Sequence, residues 1–177
     1  LARELAAHFR IVVPSLCEHR DTDPEKGGLD WVTLASDTVR LCRALDLQKP
    51  YLVGHSMGAT VHVIAHVLHG LSAAGMVLIE PIFLPAQFYL GNMSVAEHPL
   101  AVKALRRTNH WTGREEAMSY LLSRSLFQRW VREMLALYLS RGMTETEEGA
   151  LRLACSPQRE AALFMGGRQF DPWPLLP

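Results

Sequence analysis

Apolar positions fall into two regimes along the chain. Over the first 80 residues, short fully apolar runs alternate with stretches of helical period. Leu1, Leu5, His8 and Phe9 share one helical face across 1–9. Ile11-Val12-Val13 then reads as a short strand closed by Pro14, and a polar loop runs through His19, Arg20, Asp21, Asp23-Pro24 and Gly27-Gly28. The next helix starts near Asp30, carries Leu34, Val39, Leu41, Cys42 and Leu45, and ends before Lys49-Pro50. Tyr51-Leu52-Val53 is the second strand and runs directly into Gly54. A third helix covers 57–69 with Gly70 as its stop, and Met76-Val77-Leu78-Ile79 forms the third strand before Glu80-Pro81. Strand–helix alternation with short connections predicts parallel pairing through right-handed crossovers. Because the strands are continuous apolar runs, burial on both faces is expected. The fold class is α/β, a parallel sheet with flanking helices.

After Pro81 the period changes. From Glu97 to about Phe164 the pattern is helical, with no convincing strand. Thr112-Gly113-Arg114-Glu115 has the spacing of a capping box and opens a helix bearing Ala117, Met118, Leu121 and Leu122. Phe127, Trp130, Val131, Met134, Leu137 and Tyr138 form a broad apolar stripe. Ser156-Pro157 starts another helix, and the tail, Phe170-Asp171-Pro172-Trp173-Pro174-Leu175-Leu176-Pro177, is too rich in proline for a helix or a central strand. The chain therefore divides into a core segment (1–80), a helical insertion (81–169) and a return segment (170–177).

The totals change this picture little. At 177 residues, 49% of them apolar, the chain is one globular domain in size. Eighteen basic residues balance eighteen acidic ones, so no global field favours nucleic acid or an anionic membrane. Arg106-Arg107 and Arg124, Arg129 and Arg132 gather locally, and a solvated helix face accounts for them. Cys17, Cys42 and Cys155 are few and widely spaced, without a zinc or disulfide pattern, so a reducing cytoplasm is the expected compartment. No apolar run is long enough to span a membrane.

The chemistry concentrates in Gly54-His55-Ser56-Met57-Gly58. An apolar strand precedes this Gly-x-Ser-x-Gly and a helix follows without a loop, the context of a nucleophile elbow. On such a turn side chains at Gly54 and Gly58 are expected to collide with neighbouring backbone. Ser56 then projects at the C-terminal edge of the sheet, where α/β folds place ligands. The helix N-terminus beside it favours a developing oxyanion, with the Met57 amide as one donor.

At these residues the chain resembles the α/β-hydrolase superfamily, in its capped, serine-nucleophile, esterase- or lipase-like form. The resemblance extends through Arg10-Ile11-Val12-Val13-Pro14, the run from Leu45 into the elbow, Val77-Leu78-Ile79-Glu80-Pro81 where a helical cap is often inserted, and the tail from Phe170. It implies acyl transfer from an ester, thioester or related carbonyl to water, through an acyl-enzyme on Ser56, with a small-molecule substrate and no cofactor. It also implies that the second oxyanion amide, the usual triad acid and the triad histidine lie outside this chain, which alone is expected to be inactive. A strand preceding the first helix would lie between those at Ile11-Val12-Val13 and Tyr51-Leu52-Val53. Acyltransferases sharing Gly-His-Ser-x-Gly are one alternative, although they usually have an acidic residue where this chain has Ala59. A truncated, non-catalytic homologue is another.

Glu80 ends the third strand, where some relatives supply the acid; it also serves simply as a strand end. His98 and His110 lie in the cap and are possible bases, whereas His55 is expected to point away from the serine. His62, His66 and His69 share a helical face, as zinc ligands do, but without a carboxylate, so structural histidines are expected and no metal. Trp111, Tyr120, Phe127, Trp130 and Tyr138 suit either an acyl pocket or the core of the cap. Asp21, Asp23, Glu25, Glu145, Glu147 and Glu148 lack the spacing of a calcium loop.

Overall fold

The computed structural model describes residues 2–16, 20, 23–89 and 93–176. The expected loop residues Cys17, His19 and Asp21, and Leu1 of the first helix, lie outside them. Strands β1 (Tyr51–His55) and β2 (Gly75–Ile79) pair in parallel, in a register that sets Tyr51 against Gly75 and His55 against Ile79. Helix α1 (Ala2–Leu5) is short and buries nothing. Helix α2 (Trp31–Ala44) starts on Asp30, whose carboxylate accepts from the amides of Val32 and Thr33 at 3.0 and 3.2 Å. Helix α3 (Met57–Val67) is followed by Gly70 at φ +66°, whose N–H bonds to His66 C=O, a left-handed αL closure; Leu71 N–H bonds to Ala65 C=O.

Helix α3 packs on β1 and β2 and α2 packs on α3, which builds a core of Trp31, Leu34, Val39, Leu52, Val61 and Ile64. That core covers one face of the sheet. On the other face Tyr51, Val53, Val77 and Ile79 are 64, 46, 52 and 47% exposed. Burial on both faces was expected from the apolar runs, and the structure corrects this: burial in β1 alternates, with Leu52 buried and Tyr51 and Val53 exposed.

Ile11-Val12-Val13 forms no strand either; Val13 is 78% exposed. An extended triplet becomes a strand only when a neighbour accepts its N–H groups, and among the described residues β1 pairs with β2 alone. The segment approaches the sheet through Phe9, whose ring meets Tyr51 edge-on at 6.0 Å.

The segment after Pro81 contains helices α4 (Pro99–Leu105), α5 (Arg114–Ser123), α6 (Arg132–Arg141) and α7 (Pro157–Gly166). It also holds an antiparallel hairpin, where none was expected, of β3 (Met143–Glu145) and β4 (Leu151–Leu153). Gly149 at φ +80° turns the hairpin, and Trp111 exchanges both backbone hydrogen bonds with Leu151. Its buried Met143, Leu151 and Leu153 join Trp111, Leu121, Phe127, Leu135 and Leu139 in a second core.

Two further expectations are corrected here. Thr112 does not cap α5: its N–H and hydroxyl both donate to the carboxylate of Glu116, at 2.6 and 2.7 Å, and Gly113 occupies the cap. The apolar stripe faces outward at Val131, Met134 and Leu137, while Leu135 and Leu139, one turn apart, face the core. Ser156 caps α7 as expected, accepting from Arg159 N–H at 3.2 Å.

Helix α7 is anchored to the first part of the chain. Leu29 N–H donates to Ala162 C=O at 2.9 Å, and the Trp31 indole donates to Leu163 C=O at 2.9 Å. The tail makes one helical turn, Trp173–Leu175, and the Trp173 indole donates to Leu84 C=O at 2.7 Å.

Candidate active site

Strand β1 delivers the chain to Ser56, which sits at φ 53°, ψ −123° and begins α3 without a break. L-residues rarely hold such a conformation, and it costs about 1–3 kcal/mol wherever the surroundings impose it. Here they do. Ser56 N–H donates to Ile79 C=O at 2.9 Å, fastening the turn to the end of β2, and Ser56 C=O accepts from Ala59 and Thr60 N–H at 3.1 and 3.3 Å.

Gly54 is required by close approach: a Cβ there would lie 2.6 Å from both the Cα and the N of Ala59. Gly58, expected to be equally crowded, is not; a Cβ there meets nothing within 4 Å. Ser56 is half-buried, and its hydroxyl forms no hydrogen bond with any described residue. Met57 packs its side chain on the first core, while its amide, in the first helical turn, has no acceptor within the helix. His55 is exposed.

Glu80 follows Ile79 directly, at φ 45° and exposed. What holds its segment is Thr60, which sequence reasoning missed. The buried Thr60 hydroxyl accepts from Ile82 N–H at 2.8 Å and faces Ile82 C=O at 2.9 Å, clasping the exit of β2 to the helix that carries the elbow. A helix-interior threonine looks neutral in a sequence, and only its distant partner reveals it. Thr60→Val keeps the shape and leaves both Ile82 groups unpaired. It is expected to cost about 1–3 kcal/mol, read as a lower urea midpoint at unchanged m.

The histidines separate into individual roles. His98 caps α4, its Nδ1 accepting from Ala101 N–H at 3.3 Å, and stacks on Phe164. Burial first, then the nearby Arg168, lowers its pKa. His110 is exposed. Within α3, His66 Nδ1 lies 2.8 Å from Leu71 C=O and His69 Nε2 lies 3.3 Å from Val32 C=O. These two rings engage different carbonyls instead of converging. His62 is held below its ordinary pKa by burial, partly opposed by the Val53 backbone, and its Nδ1 is buried without a partner. No described histidine is hydrogen-bonded to Ser56. Among the described residues, no three His, Cys, Asp or Glu side chains are grouped to hold a metal ion.

Trp111, Tyr120, Phe127 and Tyr138 pack in the second core: Trp111 lies tilted against Tyr120 at 5.3 Å, and Phe127, Tyr138 and the exposed Trp130 contact one another. Arg124 lies over the Tyr120 ring at 4.3 Å. Among the described residues, no helix is long and apolar enough to cross a membrane.

Comparison with known proteins agrees with this geometry. Curated protein sequences give no match. Among solved structures, the peroxisomal alpha-beta-hydrolase Lpx1 of Saccharomyces cerevisiae superposes with a TM-score of 0.64 at 18% identity, over 83% of this chain and 43% of that one. A probable hydrolytic enzyme of Pseudomonas aeruginosa gives a TM-score of 0.40 at 20% identity, over 81% of this chain and 42% of that one. The chain thus spans less than half the length of either structure. The sequence profile of the alpha/beta hydrolase family matches residues 1–177. With a parallel sheet flanked by helices and a strand–turn–helix around Gly54-His55-Ser56-Met57-Gly58, the chain belongs to the alpha/beta hydrolase family.

Proposed function

We propose that the protein is a serine hydrolase that cleaves an ester, thioester or related carbonyl through an acyl-enzyme on Ser56. The observation that carries this reading is the backbone of Ser56, held at φ 53° between β1 and α3 with an uncommitted hydroxyl. A turn this strained persists only because its surroundings determine it, and it places the hydroxyl at the strand end, beside a helix N-terminus.

In the proposed reaction, Ser56 Oγ attacks the carbonyl carbon and passes its proton to a histidine. The carbonyl oxygen gains negative charge and is met by the Met57 amide and the positive end of α3. The C–O or C–S bond breaks, and the alcohol or thiol leaves with the histidine's proton. Water then repeats the sequence on the acyl-enzyme and frees the acid. The histidine, the acid that orients it and the second oxyanion donor are proposed to come from the rest of a longer protein, as this chain's share of the yeast structure suggests. The compartment proposed is the cytoplasm.

Rapid mixing of the longer protein with p-nitrophenyl acetate, followed by peptide mass mapping, tests this. A burst of nitrophenol with acetyl on the peptide containing Ser56, resolved by water alone, is expected. Acetyl passing to an added alcohol or thiol in preference to water would favour an acyltransferase, and acetylation elsewhere would remove the reading.

A further inference from the structure

A cavity of about 300 Å³ lies between Ser15 and the second half of the chain, and three arginines line it with Ser15 and Tyr138. They come from three places in the fold: Arg107 just beyond α4, Arg141 at the end of α6 and Arg159 in the first turn of α7. No elbow residue is among the lining, so the site stands apart from the reading of Ser56.

The three guanidinium groups are not equivalent. Arg107 is fixed in place, pairing with Glu160 and donating to the Tyr138 hydroxyl at 3.1 Å. That pair is neutral. Among the described residues, Arg141 and Arg159 form no ion pair; Arg159 reaches only the Ala154 carbonyl, at 3.5 Å. Arg159 also occupies the turn of α7 where the helix dipole disfavours a cation. Its neighbour Glu160 does not relieve it, being engaged by Arg107. Two guanidinium groups without ion pairs among the described residues, Arg141 at the C-terminal end of α6 and Arg159 at the positive end of α7, therefore share one cavity.

Guanidinium forks suit planar or tetrahedral oxyanions, which they bind through paired N–H donors. The volume lies at the lower end of small-molecule sites, and Leu153 supplies an apolar wall. We propose that this cavity binds a small organic oxyanion, a phosphate monoester or a carboxylate. Arg141 and Arg159 hold its charged group, Arg107 and the Ser15 hydroxyl stand alongside, and its carbon portion lies against Leu153.

Calorimetric titration at low salt with phenyl phosphate, benzoate and inorganic phosphate tests the site. Saturable one-site binding of at least one of the three is expected, weakening with added salt. Arg141→Gln and Arg159→Gln should each lower its affinity about tenfold or more, a loss of one charge-assisted contact. Ser56→Ala should bind as the wild type does. Tighter binding of phenyl phosphate identifies the phosphoryl group as the recognised anion; tighter binding of benzoate identifies the carboxylate. Arg141 is exposed, so its substitution leaves the fold intact, with far-UV circular dichroism as the control. No saturable binding of any probe, unchanged affinity in both arginine variants, or loss of binding in Ser56→Ala would each overturn the proposal.

Discussion

In the longer protein that supplies the histidine, replacing Ser56 by alanine is expected to lower kcat on an activated ester by about 10⁴-fold or more, because the acyl-enzyme is proposed to form on Ser56. The fold should be indifferent to the change. Ser56 makes no side-chain hydrogen bond that alanine would lose, and alanine carries the same Cβ into the same strained turn. Ser56→Gly separates the two consequences of that turn. Glycine holds φ 53° without the steric penalty, so activity should vanish while stability rises by about 1 kcal/mol. A gain in stability on losing the hydroxyl and its Cβ marks a residue kept for function, since natural proteins give up stability at active sites. If Ser56→Gly is less stable than Ser56→Ala, the strain assigned to the elbow is not there.

The second large effect lies far from the serine. Gly166→Ala would set a Cβ 1.7 Å from the carbonyl oxygen of Leu29 and 2.3 Å from its carbon. Backbone occupies that space, so no rotamer change can relieve the overlap. Helix α7 must move away from residues 28–30, stretching the Leu29–Ala162 and Trp31–Leu163 hydrogen bonds and disturbing Asp30 at the start of α2. Overpacking of this kind costs about 1–3 kcal/mol, and each strained hydrogen bond adds about 1 kcal/mol. A loss of roughly 3–5 kcal/mol is expected from urea unfolding, a large part of the roughly 5–15 kcal/mol that holds a domain. Gly113→Ala is the control. It is extended and meets nothing within 4 Å, so it should lose only about 0.5–1 kcal/mol, the cost of alanine for glycine at a helix cap. Equal stability in the two variants would mean that α7 does not close on the loop as described.

Legibility in the sequence followed physical range. The elements around residues 30–79 were readable because each carries local punctuation: Asp30 at a cap, Gly70 at a left-handed stop, and Gly54 between an apolar strand and a helix. Ile11-Val12-Val13 carries the same local signal as β1, but strand formation depends on a neighbour that three residues cannot announce. The hairpin escaped for the opposite reason. Three-residue strands around Thr146-Glu147-Glu148-Gly149 show no period, and their place is set by the pairing of Met143 with Leu153 and by Trp111 far upstream.

The candidate site divided along the same line. Ser56, Gly54 and Met57 lie within four residues of one another, and their arrangement could be read from that spacing. Gly58 looked equally constrained by the motif, yet it faces open space. Thr60 owes its part to Ile82, and the arginine cavity gathers Ser15, Arg107, Arg141 and Arg159 from across the chain. Such sites exist only after folding, and no local pattern foretells them.

Ser56 as the nucleophile is the proposal on which the proposed function depends. Treatment of the native longer protein, which carries the histidine, with a fluorophosphonate, followed by tryptic mapping, tests it most directly, because the reagent phosphonylates activated serines and leaves ordinary ones alone. One adduct is expected, on the peptide containing Ser56, absent from Ser56→Ala and from heat-denatured protein. An adduct on another serine that persists at full yield in Ser56→Ala would contradict it.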